Sequence, residues 1–291
     1  MAVKQRVGGT IYKAIFVIYK LLGYRFVYYT LHLVVLYYFL FASNVRSAFK
    51  HYYSMIGLPF SQKIFFQHLL NYSLATTDRL LSQVDSSQYS FNTQKRELLL
   101  GEIQKGSILL LNHFGGWATA GNYFEMDEIK INVVMNEVML KGANDFQKFV
   151  EEKNPHKKNN VHVIDLGQGN IKASIMIANA LLDNQSVAFM ADRSMNEKYA
   201  IPIEFFGKEA WFNKNPFVFA YKMQKPIMAL FVILDGQCNY TLEHKKIVLD
   251  YRLNEEESIQ KAMNEYSSIL MEQVKLHPLQ WFNFYNFWEK Q

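Results

Sequence analysis

The stretch LLNHFGGWATAGNYF, residues 110–124, passes from an apolar run through His113 into a pair of glycines. The run that leads into it, SILLLNH (107–113), is typical of a buried strand. Gly115 and Gly116 predict a tight turn, and the residues after them favour a helix. His113 is therefore expected at the carboxyl end of a strand, which is the edge at which α/β sheets bind ligands.

Strand and helix patterns alternate along the rest of the chain. Further strands are predicted at 131–136, 159–166, 186–192 and 227–234, with a sheet-edge strand over 241–251. Helices are predicted over 45–83, 143–154, 170–184, from about 215 onward, and over 254–278, with a polar connection at 86–90. This alternation predicts an α/β fold with a largely parallel central sheet flanked by helices.

The N-terminal segment combines positive charge with apolar and aromatic residues. Before Asp78 the chain has eight basic residues and no acidic one, although the net charge of the whole chain is only +5. Such a segment is typical of proteins that bind nucleic acid or an anionic membrane surface. Residues 26–42, FVYYTLHLVVLYYFLFA, favour the membrane, because they form a nearly unbroken apolar and aromatic run of 17. We expect no nucleic acid partner.

Two hydrophobic helices, at about 9–22 and 25–50, are predicted to lie in or dip into the membrane. The apolar run is shorter than the roughly 20 residues of a spanning helix, and its tyrosines prefer the headgroup level. Basic flanks favour the cytoplasmic leaflet. We therefore predict a membrane-associating segment at 1–50 and an α/β domain at 51–291; the alternative is that these helices belong to a soluble core.

Cysteine usage and motif spacing narrow the possible chemistry. Cys238 is the only cysteine, so neither an intrachain disulfide nor a thiolate metal cluster can form. The sequence has no phosphate-loop or dinucleotide fingerprint, and His156 and His162 are not at metal-ligand spacing with acidic neighbours. We therefore expect no metal site and no cofactor.

His113 is the leading candidate for chemistry. At a strand end it is placed to act as a general base toward a hydroxyl or amine, although an isolated histidine is often only a structural hydrogen-bonding group. Gly115 and Gly116 would let a substrate approach the backbone closely. The free N–H groups of a following helix would then bind an anion or a developing oxyanion.

Several blocks together resemble the lysophospholipid acyltransferase superfamily, in particular its lipid A biosynthesis acyltransferase branch. NHFGGW (112–117) is similar to the first motif of that branch, and VAFMADRS (187–194) to a later strand that ends in aspartate. IPIEFFGKEAWFNKNPFVFAYKMQKPIMALFVI (201–233) and the tail PLQWFNFYNFW (278–288) resemble further segments. The aromatic N terminus and NPHKKNNVHVIDL (154–166) are similar to a branch of predicted acyltransferases.

The resemblance implies an acyltransferase of the inner (cytoplasmic) membrane with its active site on the cytoplasmic side. The acyl donor would be an acyl carrier protein or acyl-CoA thioester, and the acceptor a hydroxyl or amine of a lipid-like molecule. His113 would deprotonate the acceptor. A carboxylate five positions later would orient the histidine and stabilise its charged form.

This chain departs from that pattern, because the residue five positions after His113 is Ala118. Three explanations remain open. Another carboxylate takes the role, with Asp192 a better candidate than Glu125, which lies a helical rise of roughly 10 Å beyond Ala118. Alternatively, His113 works unassisted, with hydrogen bonds from Asn112, Thr119 or Asn122. In the third explanation catalysis is lost, and the protein binds lipid or acyl carrier protein without reacting.

The remaining candidates are predicted to bind substrate, and each has a plainer alternative. Arg193 is a candidate for a phosphate or carboxylate of the acceptor, or else forms a surface salt bridge. Lys208 and Lys214 lie near a predicted helix start and would hold an anion, or else are solvated surface lysines. Trp117 would line an acyl groove or pack in the core. Trp281 and Trp288 are expected to be packing or membrane-interface residues.

Overall fold

A computed structural model of the protein describes residues 9–125, 129–135, 160–194 and 197–289. In these ranges the central sheet has seven strands in the order β1-β9-β8-β2-β5-β3-β4. The strands of this sheet are β1 (Ser90–Asn92), β2 (Ile108–Leu111), β3 (Ile131–Met135), β4 (Val161–Asp165), β5 (Ser186–Met190), β8 (Ile227–Gly236) and β9 (Asn239–Ile247). A separate antiparallel hairpin consists of β6 (Ala200–Phe205) and β7 (Lys208–Asn213).

Five adjacent strands, β8, β2, β5, β3 and β4, run parallel, whereas β9 is antiparallel to β8 and β1 runs parallel to β9. The prediction of an α/β fold with a largely parallel sheet is confirmed. The apolar run of β2 is buried at every position because the strand is central and covered on both faces. Ile108 and Leu110 join one core, and Leu109 and Leu111 join the core on the opposite face.

Helices cover both faces of the sheet. The bounds are α1 (Gly9–Phe41), α2 (Ser43–Met55), α3 (Gln62–Val84), α4 (Arg96–Gln104), α5 (Ala120–Glu125), α6 (Asn170–Leu182), α7 (Asn215–Met223) and α8 (Glu255–Leu276). Buried residues of α6, α7 and α8 share one core with those of α2, while Leu99 of α4 and Tyr123 of α5 belong to the other. The helix predicted at 143–154 lies outside the described residues.

Two predicted boundaries were wrong. The edge strand is β1, which begins at Ser90, the last residue of the predicted polar connection, and for which no strand was predicted; β9, predicted as the edge, lies one position further in. Three residues of β1 carry too little pattern to identify a strand from sequence. The second N-terminal helix, predicted over 25–50, instead ends at Phe41, and α2 starts at Ser43 after a sharp bend.

The N-terminal helices are attached to the α/β body and also expose apolar surface. Within α1 the helix is broken at Gly23, whose φ is 76°, close to the predicted boundary. The Tyr24 hydroxyl donates to the buried carboxylate of Asp78 on α3 at 2.9 Å. Leu33 of α1 is 70% exposed, and Leu21 is 76% exposed. In the described residues no single helix is long and apolar enough to span a membrane. Helices α1 and α2, taken together as a pair bent by 87°, have the required length and composition.

Candidate active site

Parallel pairing of β2 with β5 brings His113 and Asp192 together. Leu111 pairs with Met190 at the ends of these strands, and the amide of Ala191 still donates to the carbonyl of Leu111 at 2.9 Å. His113 and Asp192 each follow two residues beyond that pair, so they meet although 79 residues separate them. Both lie at the carboxyl edge of the sheet.

The Asp192 carboxylate accepts three hydrogen bonds. Nδ1 of His113 lies 2.8 Å from Oδ1. The backbone amide of His113 donates to Oδ2 at 2.9 Å, and the indole N–H of Trp281 donates to Oδ2 at 3.2 Å. Asp192 is completely buried, whereas the His113 side chain keeps 20% of its surface exposed. The carboxylate is therefore fixed inside the protein while the imidazole reaches its surface.

The charge state of Asp192 assigns the histidine tautomer. Burial by itself raises the pKa of this carboxyl, but the charge and hydrogen bonds of His113 and the charge of Arg193 bring it below its ordinary value. An ionised carboxylate only accepts hydrogen bonds, so Nδ1 of His113 carries the hydrogen. Nε2 is then left with a lone pair, and a guanidinium nitrogen of Arg193 contacts it.

Gly115 and Gly116 are required by close packing. Their amides donate to the carbonyls of Gln280 and Val232 respectively, both at 2.7 Å. A Cβ on Gly115 would lie 1.9 Å from the Val232 oxygen, and one on Gly116 would lie 2.3 Å from the Tyr240 ring. Both amides therefore already have partners inside the protein. Strand β8 and the C-terminal segment thus occupy the side of the turn on which these two amides point, and anion binding by the N–H groups of the following helix stays a prediction.

A C-terminal segment holds the turn from the other side. The amide of Phe282 donates to the carbonyl of His113 at 2.7 Å, and Phe114 forms an isolated bridge with Trp281. Of the two positions predicted for Trp281, packing and membrane interface, its complete burial corresponds to packing; Trp288 is partly buried beside it. Sequence reasoning missed the hydrogen bond from Trp281 to Asp192, since the only available signal was the aromatic richness of residues 278–288.

The other predicted substrate-binding residues are distributed around this centre. Asn112 is completely buried, and its side-chain amide donates to the Leu230 carbonyl at 3.1 Å. Trp117 is half-buried, with the Arg79 guanidinium 5.9 Å from its ring centre. Arg193 lies against His113 and over the ring of Tyr285 at 5.5 Å.

The two lysines lie at different distances from the sheet edge. Asn213 at the end of β7 donates from its side chain to the Met190 carbonyl, so Lys214, the next residue, is close to the end of β5. Lys208 is exposed at the opposite end of β7, about 17 Å along the strand from Asn213. The structure thus brings only Lys214 near the strand ends, and the role of both lysines in anion binding stays a prediction.

Position 118 is half-buried in a short 3₁₀ turn, Trp117–Thr119, that leads into α5. The side chains of Asn122 and Glu125 lie outside the described part of the chain. Among the carboxylates that sequence reasoning considered, the structure places Asp192 in hydrogen-bond contact with His113. This contact corresponds to the first of the three explanations for Ala118.

Comparison with known proteins gives a family assignment. Residues 89–290 match the family model described as bacterial lipid A biosynthesis acyltransferase. A search of curated proteins found no match. The matched range contains His113, Asp192 and Trp281, and helices α1 to α3 precede it. Because it spans more than half of the 291 residues, the chain belongs to the bacterial lipid A biosynthesis acyltransferase family.

Proposed function

We propose that the protein transfers a fatty-acyl-type chain from an acyl carrier protein or acyl-CoA thioester to a hydroxyl or amine of a lipid or glycolipid. Family membership indicates acyl transfer in lipid biosynthesis. The contact between Nδ1 of His113 and the buried carboxylate of Asp192 is the observation that supports a working catalytic centre. Asp192 takes the place of the carboxylate that Ala118 cannot supply.

In the proposed reaction His113 is the general base. Nε2 takes the proton of the acceptor hydroxyl while its oxygen attacks the thioester carbonyl carbon. The tetrahedral intermediate then collapses, the carbon–sulfur bond breaks, and the imidazolium returns the proton to the leaving thiolate. The products are an ester and a free thiol, so the histidine ends in its starting state.

Asp192 and Arg193 have complementary electrostatic roles in this proposal. Asp192 fixes the Nδ1–H tautomer and stabilises the imidazolium that forms during attack. Arg193 contacts Nε2 in the free protein, so an acceptor hydroxyl has to replace it there. Once displaced by a short distance, the guanidinium is well placed to donate to the developing oxyanion. The amides of Gly115 and Gly116 do not take this role, because they already donate to backbone carbonyls.

We also propose that the protein works at the cytoplasmic side of the inner membrane. The basic N terminus and the exposed apolar side chains of α1 support this location. Lipid-embedded acyl chains would then reach His113 from the membrane, and Trp117 is proposed to line their path. The alternative, a non-catalytic relative that binds lipid or acyl carrier protein, has no observation in its favour beyond Ala118.

The test is thioester turnover by purified protein in detergent. With palmitoyl-CoA and palmitoyl-acyl carrier protein as donors and water as the acceptor, the wild type is expected to release thiol and palmitate, and His113→Ala to lose at least about a hundredfold of this rate. His162→Ala is the control, because His162 is exposed on the edge strand β4. Equal rates in wild type and His113→Ala would contradict the proposed catalytic role.

A further inference from the structure

We propose that the indole N–H of Trp281 is a positioning group for the reaction, one that holds Asp192 in the orientation in which it orients His113. This inference rests on the proposed function of the His113–Asp192 pair. The indole N–H of Trp281 donates to Oδ2, the carboxylate oxygen opposite the one that faces Nδ1 of His113.

The Asp192 carboxylate is hydrogen-bonded at both of its oxygens. Asp192 can rotate about its side-chain bonds unless both oxygens are held. Among the residues that the structure describes, Nδ1 of His113, on the ring that gains charge during the reaction, holds Oδ1. Oδ2 is held by two donors that do not change charge, the His113 amide and the Trp281 indole. Two of these three donors belong to His113, and the third, the indole, belongs to the C-terminal segment.

Trp281 is itself held in place through both its ring and its backbone carbonyl. Its ring packs against Tyr52, Phe205 and Phe287, with ring centres 4.6 to 5.6 Å away. Its backbone carbonyl accepts from Nε2 of His68 at 3.2 Å, and the hydroxyl of Tyr53 lies 3.1 Å from Nδ1 of the same ring. The indole is therefore fixed by buried contacts with α2 and α3.

His68 keeps this arrangement over a wide pH range. Burial lowers the pKa of His68 to about 3, so the ring stays neutral where enzymes work. A carbonyl can only accept, so the neutral ring donates from Nε2 to Trp281 and accepts from Tyr53 at Nδ1. The chain of contacts thus runs from α3 through Trp281 to the carboxylate without a group that titrates near neutral pH.

Loss of the indole N–H has a defined electrostatic consequence. The ionisable groups that face Asp192 are His113 from the turn after β2, Arg193 from its own loop and Tyr266 from α8. None of these is altered in Trp281→Phe. Without the indole the ionised carboxylate loses one stabilising donor, so the pKa of Asp192 rises. The carboxylate also interacts more strongly with the protonated imidazole of His113 when it has fewer donors. The acidic limb of the pH–rate profile, below which this base is protonated, therefore moves to higher pH.

Trp288→Phe is a matched control for Trp281→Phe. Trp288 lies in the same aromatic cluster, with its ring centre 6.4 Å from that of Trp281. Its indole N–H also makes one hydrogen bond, but to the backbone carbonyl of Phe205 at 2.9 Å. Both substitutions remove one indole donor and a similar volume, and only one of them removes a donor from Asp192.

The experiment compares kcat, KM and pH profiles of the wild type and the two variants in the thioester assay. Trp281→Phe is expected to lower kcat about tenfold, to leave KM within about twofold, and to move the acidic limb up by about half a pH unit. Trp288→Phe is expected to leave the limb in place. Benzothienylalanine at position 281 replaces the N–H with sulfur at nearly the same volume, and it should reproduce the shift if Trp281→Phe folds poorly.

A readout that does not depend on activity separates this inference from the proposed function. The proton on Nδ1 of His113, hydrogen-bonded to a carboxylate, gives a strongly downfield NMR resonance. We expect that resonance to move or broaden in the variants lacking the indole N–H and to remain in Trp288→Phe. An unchanged resonance together with an unmoved acidic limb overturns the positioning role. A changed resonance in a protein that turns over no thioester instead counts against the proposed function.

Discussion

Replacement of Asp192 by asparagine removes the charge of the proposed dyad while nearly keeping its shape. In the wild type both oxygens accept, Oδ1 from Nδ1 of His113, and Oδ2 from the His113 amide and the Trp281 indole. Asparagine offers one oxygen and one NH₂ group. If its oxygen faces the two donors, the NH₂ faces Nδ1 and forces the tautomer with hydrogen on Nε2, which cannot act as a base.

The opposite orientation of the amide is also unfavourable. It would place NH₂ against two buried N–H donors, leaving three donors without an acceptor. Hydrogen bonds to charged groups are worth about 1.5–3 kcal/mol each, so this orientation, the one that keeps hydrogen on Nδ1, costs about 3–6 kcal/mol through the loss of two. That cost is added to the barrier of the reaction. At 1.36 kcal/mol per factor of ten, the expected loss in kcat is about 10² to 10⁴-fold. In serine proteases a similar replacement costs about 10⁴-fold.

The assay is release of free thiol from palmitoyl-CoA by Asp192→Asn, with Asp183→Asn as the control because Asp183 is exposed after α6. Folding is checked by the thermal transition. A properly folded Asp192→Asn that keeps a rate within about threefold of the wild type would refute the reasoning. In that case His113 would be acting without the carboxylate.

The remaining predictions concern packing, pH and position 118. Gly116→Ala should destabilise the fold by about 2–3 kcal/mol because its Cβ would meet the Tyr240 ring, whereas Gly101→Ala, in open space on α4, should stabilise it by about 0.5–1 kcal/mol; denaturant midpoints test both. Burial raises the pKa of Asp78 to about 6. The native state therefore binds more protons between about pH 4 and 6, and stability should fall by about 3 kcal/mol as pH rises through that window. Denaturant midpoints measured at both ends of this pH window should show the fall in stability in the wild type and its absence in Asp78→Asn. Ala118→Glu should change kcat by less than about twofold, because Asp192 already holds Nδ1.

The parallel part of the fold could be predicted from sequence because its signals are local. Buried strands such as β2 and β5 are continuous apolar runs, and the intervening helices carry 3.6-residue periodicity. The break near Gly23 was also predicted, because the apolar runs on its two sides are separate. Strand β1 was missed because its pairing with β9 depends on the tertiary structure around it and not on its own three residues.

The candidate site was predictable only in part. His113 is recognisable from its position after a strand and before two glycines. Asp192 was a candidate, but its contact with His113 depends on the register of β2 against β5, which sequence patterns do not contain. The use of the glycine amides was not predictable, because their acceptors are distant in sequence: Gln280 in the C-terminal segment for Gly115, and Val232 in β8 for Gly116.

A double-mutant cycle on His113 and Asp192 tests the central claim most directly. Thiol release would be measured for wild type, His113→Ala, Asp192→Asn and the double variant under identical conditions. If the two residues act as one unit, the double variant is about as slow as His113→Ala alone, because Asp192 has nothing left to orient. Losses that multiply in the double variant would show that the two side chains act independently, and would contradict the account.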